Sequence, residues 1–335
     1  MTYNSSLVRG SGPTYSATNG THPLIREDAS SEILKAAIQK SAVMAMFRHR
    51  NMGKQQQRMP VLAAKATAYF VSGDVGLKQT TKIAWDNKFL DAEEIAVIVP
   101  IPEKLLDDAD YNIWAEVKPE LEEAIGVTLD AAVLFGYNKP SVWPTDIVSA
   151  AIAAGNTVTQ GAGVDIADDI NSMMTAVEID GYETNGFFIR ASVKGELRGL
   201  RDTQGAFIFQ SPANSGLSNT VYKGTVYGEK AVTGMSGLFE AEDAGTYGRA
   251  SNSVKMITGD WNQGMLGIRQ DLTYKMLDQA VINDDQGRVV WNLPQQDMVA
   301  LRVVTRLAFQ VPNPYNRMNT NSSTRYPFAV LRDAS

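Results

Sequence analysis

Alternating hydrophobic and polar positions mark a long β-hairpin in the first third of the chain. One apolar run, MPVLAAKATAYFV, starts at Met59, and a second, KIAWDNKFLDAEEIAVIVPI, ends at Ile101. The polar, glycine-bearing sequence SGDVG lies between them. Period-two alternation is typical of strands with one buried face. Because a two-stranded hairpin buries little surface on its own, this one is predicted to need a partner surface.

A helical period replaces the alternation between Asp110 and Phe135. Apolar residues recur there at four-residue spacing: Ile113, Val117, Leu121 and Ile125. Glutamates are interspersed, so the pattern predicts an amphipathic helix that stops at Gly136. Pro119 lacks an N–H and its ring clashes with the preceding turn, so the segment is either one bent helix or two helices.

Helix and strand patterns alternate from Thr145 to about Ala250, after the boundary sequence GYNKPSVWP. DIVSAAIAAGN, DIADDINSMMTAVEID and SVKGELRGL predict helices, and GFFIRAS predicts a buried strand. The run QSPANSGLSNT predicts an exposed loop. These patterns predict an α+β domain inserted within the chain.

The last third begins with MITGDWNQGMLGIRQDLTYKML at Met256, which predicts a strand ending in Gly259-Asp260-Trp261 and a second strand at LGIRQDLT. A short acidic loop follows, and the run DMVALRVVTRLAFQV is predicted as a helix. The polar tail from Asn316 ends in YPFAVL, which docks either on the body of the protein or on a neighbour.

This order of elements resembles the major capsid proteins of tailed bacteriophages, which share the Hong Kong ninety-seven-like capsid fold. EILKAAIQKSAVMAMF is similar to the short helix after the family's N-terminal arm, and NGFFIRASVKGELRGLRDTQGAFIF with YKGTV is similar to its apical domain. The resemblance implies an α+β fold with an N-terminal arm, an extended β-hairpin loop, a peripheral domain with a long spine helix, and an inserted axial domain.

The resemblance and the patterns together predict seven segments. They are an N-terminal arm (1–28), a first helix and basic turn (29–58), the hairpin loop and return strand (59–101), the spine helix (102–144), the axial domain (145–252), the return to the peripheral domain (253–315) and a C-terminal tail (316–335). The arm is polar and has no hydrophobic period, so it is either a strap across neighbouring subunits or a flexible tail. No charged scaffolding helix precedes it, and Met1 favours a separate scaffold protein.

Composition excludes several classes of function. The 335 residues are 44% hydrophobic, enough for a sizeable core, and the chain has no cysteine. It has no apolar run of about 18 residues and no signal peptide, so no membrane partner is expected. A net charge of −6 disfavours wrapping of nucleic acid, although a container for DNA remains compatible.

Catalytic chemistry has little support in the sequence. The two histidines, His22 and His49, lie in the arm and in the basic turn, and no nucleophile elbow or glycine-rich phosphate loop is present. The carboxylate clusters at Asp107–Asp110 and Asp165–Asp169 flank helix starts, where capping explains them without a metal. We therefore expect no enzyme activity, cofactor or metal, and an α+β enzyme would need a cleft of converging carboxylates.

Subunit interfaces are the expected functional sites. The candidate residues are Arg9, Arg48, Arg50, Asp74, Lys78, Lys82, Glu116, Glu120, Glu123, Asp284, Asp285 and Arg288. The basic cluster FRHRNMGKQQQR is either a solvated turn or a contact with an acidic neighbour or with DNA. Some family members join a hairpin lysine to an asparagine; here Lys78 matches the lysine, whereas the asparagine position falls on Leu293, one residue after Asn292. A solvated Lys78 is the alternative.

The resemblance implies a structural protein that assembles with itself into hexamers and pentamers of an icosahedral head around double-stranded DNA, without sequence-specific binding. Expected further partners are a separate scaffold protein, a portal and a decoration protein. The expected location is the virion capsid, assembled in the host bacterial cytoplasm. An encapsulin-like nanocompartment shell of the same fold is the alternative.

Overall fold

The computed structural model describes residues 41–71, 78, 80–107, 113–163, 165–199, 223–227, 229–234, 254–284 and 286–333. The helices in these ranges are α1 (Ala42–Met46), α2 (Glu103–Asp107), α3 (Ile113–Phe135), α4 (Ile147–Ala154), α5 (Ile166–Ile179) and α6 (Val193–Gly199). The strands are β1 (Arg48–Asn51), β2 (Gln56–Ala64), β3 (Ala84–Asp91), β4 (Glu93–Pro102), β5 (Thr157–Thr159), β6 (Gly186–Arg190), β7 (Lys223–Val226), β8 (Glu229–Gly234), β9 (Val254–Gly259), β10 (Met265–Leu277), β11 (Val281–Asn283), β12 (Val289–Asn292), β13 (Met298–Gln310) and β14 (Phe328–Arg332).

The strands form four sheets among the described residues. Their strand orders are β1-β10-β13-β4, β11-β12, β5-β14-β9-β6-β8-β7 and β2-β3. The chain also divides into two compact units. The smaller unit includes Glu94–Ile125 and Gln270–Arg306, and the larger includes Ile38–Glu93, Gly126–Arg269 and Leu307–Ser335.

The predicted spine helix is a single helix, α3, that runs through Pro119. Its first half lies in the smaller unit, where Val117, Leu121 and Ile125 pack against β4, β10 and β13. Pro119 itself is exposed, so its ring faces solvent instead of this core. The helix ends at Gly136, whose φ of 72° is in the left-handed region and whose N–H bonds to the carbonyl of Ala132, as the glycine stop predicted.

The run DMVALRVVTRLAFQV is the strand β13, so the prediction of a helix there was wrong. The strand lies between β10 and β4 and is buried along nearly its whole length, which explains its continuous apolar sequence. Its two exposed residues, Arg302 and Arg306, are four positions apart. This spacing imitates the period of a helix and misled the assignment.

The basic turn also differs from its prediction, because Arg48–Asn51 forms the edge strand β1. It pairs in parallel with β10 in the register Arg48 with Met265 through Asn51 with Ile268. All four residues of β1 are exposed, and the bend of the chain begins only at Gly53.

The predicted helix and strand segments between Thr145 and Gly259 lie in the larger unit, which also contains the six-stranded sheet. Helices α4, α5 and α6 and the buried strand β6 occur where the patterns place them. Its core includes Ile170, Met173, Phe187 and Met256. The C-terminal sequence YPFAVL contains most of β14, which joins this sheet parallel to β5 and antiparallel to β9. This end of the chain therefore docks on its own chain.

Several predicted segments lie outside the described residues: the arm, most of the first helix, the hairpin tip at 72–77, and the loop 210–220. The seven predicted segment boundaries remain predictions. No helix in the described ranges is both long and apolar enough to cross a bilayer.

Candidate assembly surfaces

The hairpin formed by β2 and β3 is the most extended candidate surface. The strands pair antiparallel, with Met59 opposite Lys88 and Leu62 opposite Trp85. Residues that face each other across a ladder share one side of the sheet. The inner side therefore carries Met59 and the nearby Leu90, both buried, and Leu90 packs with Met52 and Ala308 elsewhere in the larger unit.

The outer side of the hairpin keeps large apolar side chains in solvent. Trp85 is 67% exposed and Phe89 is 43% exposed, and Phe70 beyond the strand is fully exposed. Single exposed apolar residues are common on protein surfaces, but two large aromatic residues on the same side of one strand are typical of an interaction site. Lys78 and Lys82 are exposed near the tip, and Asp74 lies outside the described residues.

The root of the N-terminal segment is held by a buried carboxylate. Asp130 of α3 accepts hydrogen bonds from Ser41 Oγ at 2.6 Å, from the Ala42 N–H at 2.8 Å and from the Val43 N–H at 3.1 Å. Ser41 in turn caps α1 by accepting from the Met44 N–H. Desolvation by burial raises the pKa of Asp130 to about 6, although these three hydrogen bonds oppose the rise.

Glutamates on α3 divide between solvent and core. Glu120 and Glu123 are exposed, as expected for an interface candidate, whereas the side chain of Glu116 is outside the described residues. Glu122 is 8% exposed, and its charge adds to the desolvation that raises the pKa of Tyr274. Among the described glutamates of α3, Glu120 and Glu123 are therefore the ones accessible to a neighbouring subunit.

The acidic loop is a small hairpin built from β11 and β12. Asp284 accepts from the Arg288 backbone N–H and from Arg288 Nε, both at 2.8 Å. The backbone hydrogen bond from Arg288 is the main cause that lowers the pKa of Asp284. These two candidates are therefore brought together as a pair within the turn, and Asp285 lies outside the described residues.

The faces of this small hairpin differ in burial. Ile282 and Trp291 pack with Leu293 and Met298. Val281 is 53% exposed and Val289 is 62% exposed. Asn292, the candidate for a cross-link, precedes the 3₁₀ turn Leu293–Gln295 and its side chain makes no capping hydrogen bond there.

Sequence reasoning missed a polar network under the C-terminal loop. Asp180, 3% exposed, accepts from Asn156 Nδ2, Asn319 Nδ2 and the Tyr326 N–H. Arg325 is equally buried and donates to Asn313 Oδ1, Asn313 O and Asn319 O. The repeated asparagines of this stretch were the available signal, because each side chain can both donate and accept.

The carboxylates of the described residues do not gather into a metal site, since they form no group of three or more ligands. Asp165 caps α5 through the N–H groups of Ala167 and Asp168, as predicted. Asp169 accepts from the N–H groups of Gly161 and Gly163 and fixes the preceding loop. Arg48 and Arg50 lie exposed on β1.

Several known proteins are similar to this chain. The chain is 24% identical over 294 residues to the major capsid protein of Staphylococcus phage 80alpha, covering 86% of this chain and 81% of that protein. A solved chain from Microbacterium phage Oxtober96 is 36% identical, with a TM-score of 0.72 and coverage of 88% of this chain and 91% of that chain.

A solved chain from Mycobacterium phage Bobi is 26% identical, also with a TM-score of 0.72, and the match covers 99% of this chain and 97% of that chain. The profile of the phage capsid family matches residues 22–315. The predicted α+β capsid fold is confirmed by these similarities. The chain belongs to the phage capsid family.

Proposed function

We propose that copies of this chain assemble into hexamers and pentamers, which form an icosahedral phage head around double-stranded DNA. Family membership makes it a structural capsid protein of the virion and not an enzyme. The observation that carries the proposal is the outer side of the hairpin, where Trp85 and Phe89 are exposed on an element with few strands to bury them. A repeated shell supplies each hairpin with a neighbouring copy.

The contacts in the proposed shell involve four elements. They are the arm to Asp28, the hairpin with Asp74, Lys78 and Lys82 near its tip, the spine helix with Glu116, Glu120 and Glu123, and the loop with Asp284, Asp285 and Arg288. Arg9, Arg48 and Arg50 supply positive charge to the same contacts or to DNA. Exposed charges of both signs favour register and specificity between copies more than raw affinity.

Further partners in the proposal are a separate scaffold protein, a portal and a decoration protein, with assembly in the host bacterial cytoplasm. The enclosed DNA is bound without sequence specificity, which is consistent with a net charge of −6. Comparison with phage proteins at up to 36% identity supports a phage head over an encapsulin-like compartment.

The direct test is expression of the full chain alone, followed by size-exclusion chromatography and negative-stain electron microscopy. Closed shells or rings of five and six support the proposal. Deletion of residues 1–28, or shortening of the tip at 72–82, is expected to leave folded monomers or rings and to abolish closed shells. Shells of normal size from both deletions would refute the assigned roles.

The covalent alternative for Lys78 is tested by boiling assembled shells in detergent. A cross-link between Lys78 and Asn292 of different copies predicts a ladder of multimers, which the substitution Lys78→Arg would abolish. A solvated Lys78 predicts a single monomer band for both proteins. Lys78 is exposed, which is compatible with either outcome.

A further inference from the structure

The hairpin is hydrogen-bonded to the rest of the larger unit along its β3 strand. Gln310 Nε2 donates to the carbonyl of Phe89 at 2.9 Å, and Trp143 Nε1 donates to the carbonyl of Asp91 at 3.0 Å. Carbonyls two positions apart point to the same side of a strand. Both donor residues are buried and the bonds themselves are partly buried, which limits competition from water.

The opposite strand is held in the same way. The Tyr315 N–H donates to the carbonyl of Leu62 at 2.8 Å. Arg317 Nη2 donates to the carbonyl of Ala66, two residues beyond the end of β2, also at 2.8 Å. The hairpin is thus bonded along both of its strands by donors that lie far away in the sequence.

We propose that Trp143, Gln310, Tyr315 and Arg317 form a clamp that fixes the direction of the hairpin before it meets a neighbouring copy. A sheet of two strands has no third strand to resist sideways bending. Two bonds to β3, one to β2 and one to the chain just beyond β2 oppose a swing in either direction, because any swing lengthens the bonds on one side of the hairpin. The four donors are positioning residues for assembly.

The loop that carries two of these donors is itself stiff. Arg325 ties it internally through three hydrogen bonds to Asn313 and Asn319. Asn316 Nδ2 donates to the carbonyl of Asp180, and Asn316 Oδ1 accepts from the N–H groups of Met318 and Asn319. A donor on a rigid loop transmits its position to the hairpin, whereas a donor on a flexible loop would follow it.

The consequence for assembly rests on the proposed function. A hairpin that already points in its final direction loses less conformational entropy when it docks on the next copy. It also limits the angles at which copies join, so a free hairpin is expected to give shells of mixed diameter and incomplete spirals.

The test measures the direction of the hairpin in the unassembled full-length chain. Since the chain has no cysteine, the exposed positions Asn87 and Ser141 can be changed to cysteine and spin-labelled, one on the hairpin and one on the body. Pulsed electron paramagnetic resonance then gives the distribution of distances between the two spin labels. The variants are Gln310→Met and Arg317→Met, which remove donors but keep side-chain volume, and their combination.

Loss of one hydrogen bond of ordinary strength is expected to lower the ratio of clamped to free hairpins about fivefold. The distance distribution should broaden in each single variant and further in the double variant. The melting temperature should stay unchanged in Arg317→Met, whereas Gln310→Met should lower it somewhat, because Gln310 Oε1 also accepts from the buried Val311 N–H. Arg317→Lys, which keeps a cationic donor, should restore most of the narrow distribution. Arg269→Met, at an exposed arginine of the same unit outside the clamp, should change nothing.

An unchanged distribution in the double variant would overturn the clamp. The same proteins are then assembled, and the spread of shell diameters is measured by electron microscopy. If the unaltered chain forms no shells either alone or with its scaffold protein, the proposed function fails, while the distance distributions still decide whether the clamp exists. If it forms shells and the double variant gives the same narrow diameters, the role of the clamp in assembly is refuted.

Discussion

Ser41 donates its hydroxyl to the carboxylate of Asp130 across 2.6 Å, which joins the start of the described chain to the C-terminal part of the spine helix. The two residues are 89 positions apart. Asp130 is 3% exposed and bonds to α1 by two further backbone donors. One buried side chain therefore anchors α1 at the start of the described residues.

This anchor predicts a specific dependence of stability on pH. Burial raises the pKa of Asp130 to about 6 in the folded protein, against about 4 in an unfolded chain. The folded state then binds the proton more tightly, so the contribution of Asp130 to stability falls as pH rises from about 4 to about 6. Over this pH range the free energy of unfolding falls by on the order of 3 kcal/mol, and above about pH 6 Asp130 causes no further change.

The substitution Asp130→Asn should remove this part of the pH dependence. Urea unfolding of the unassembled chain between pH 4.5 and 7.5 gives the free energy of unfolding for both proteins. The difference between them should change with pH up to about 6 and stay constant above it. Two parallel profiles over the whole range would show that Asp130 is ionised throughout.

The hairpin prediction concerns association and not folding. Because Trp85 is 67% exposed, Trp85→Ser should leave the melting temperature of the unassembled chain nearly unchanged. Burial of such a side chain against a neighbour contributes roughly 2 kcal/mol, so the concentration needed for assembly should rise at least about tenfold. Light scattering against protein concentration measures it.

Val142→Ser is the matched control for this hairpin test. Val142 is 53% exposed and lies outside the hairpin, so its substitution should leave the assembly concentration unchanged. Equal effects of the two substitutions would mean that general surface hydrophobicity, and not the hairpin, drives association.

The C-terminal strand leads to a prediction about truncation. Phe328, Ala329, Val330 and Leu331 are each fully buried, and β14 lies between β5 and β9 inside the six-stranded sheet. Ending the chain at Pro327 opens this sheet and exposes its core, so the product should be insoluble or unfolded by circular dichroism.

A milder change at the same end provides the comparison. Asp333 pairs with Lys255 at 2.9 Å, but its side chain is 30% exposed. Asp333→Ala should therefore cost well under about 1 kcal/mol, since a partly exposed ion pair contributes little. A soluble, cooperatively folding chain that ends at Pro327 would contradict the central role of β14.

Local patterns explain which parts of the fold could be predicted. The hairpin and helices α4 and α5 follow from period and capping, because each is specified by residues close in sequence. The parallel pairing of Arg48 with Met265 has no local signal, since its partners are 217 positions apart. The prediction for the segment that forms β13 failed because Arg302 and Arg306 have the spacing of residues on one face of a helix.

The exposure of the candidate interface residues was predictable to a similar degree, whereas their role in assembly stays a prediction. Exposed charges near the hairpin tip and on the spine helix can be identified from polar positions in a pattern. The clamp cannot, because Gln310 and Phe89 are joined by a bond between a side chain and a backbone carbonyl, which any residue could supply. Likewise, a buried cation such as Arg325 contradicts the usual rule for charged residues and is recognised only from its acceptors.

The last prediction concerns the aromatic cluster at the end of α1. A Cβ added to Gly264 would lie 2.5 Å from two ring atoms of Phe47. That ring cannot move aside easily, because its centroid lies 5.7 Å from that of Trp261 and 6.0 Å from that of Phe309. Gly264→Ala should therefore destabilise the unassembled chain by about 2 kcal/mol, as overpacking in cores does.

A double-mutant cycle tests the cause of this loss. Phe47→Leu alone leaves a cavity and should also destabilise, but combined with Gly264→Ala it makes room for the new methyl group, so the two losses should not add. Gly195→Ala, where the added Cβ meets nothing within 4 Å, should instead be neutral or stabilise α6 by up to about 1 kcal/mol. Urea unfolding gives all four values. Full additivity of the Phe47 and Gly264 substitutions would show that the methyl group is accommodated elsewhere, and that Phe47 does not confine this glycine.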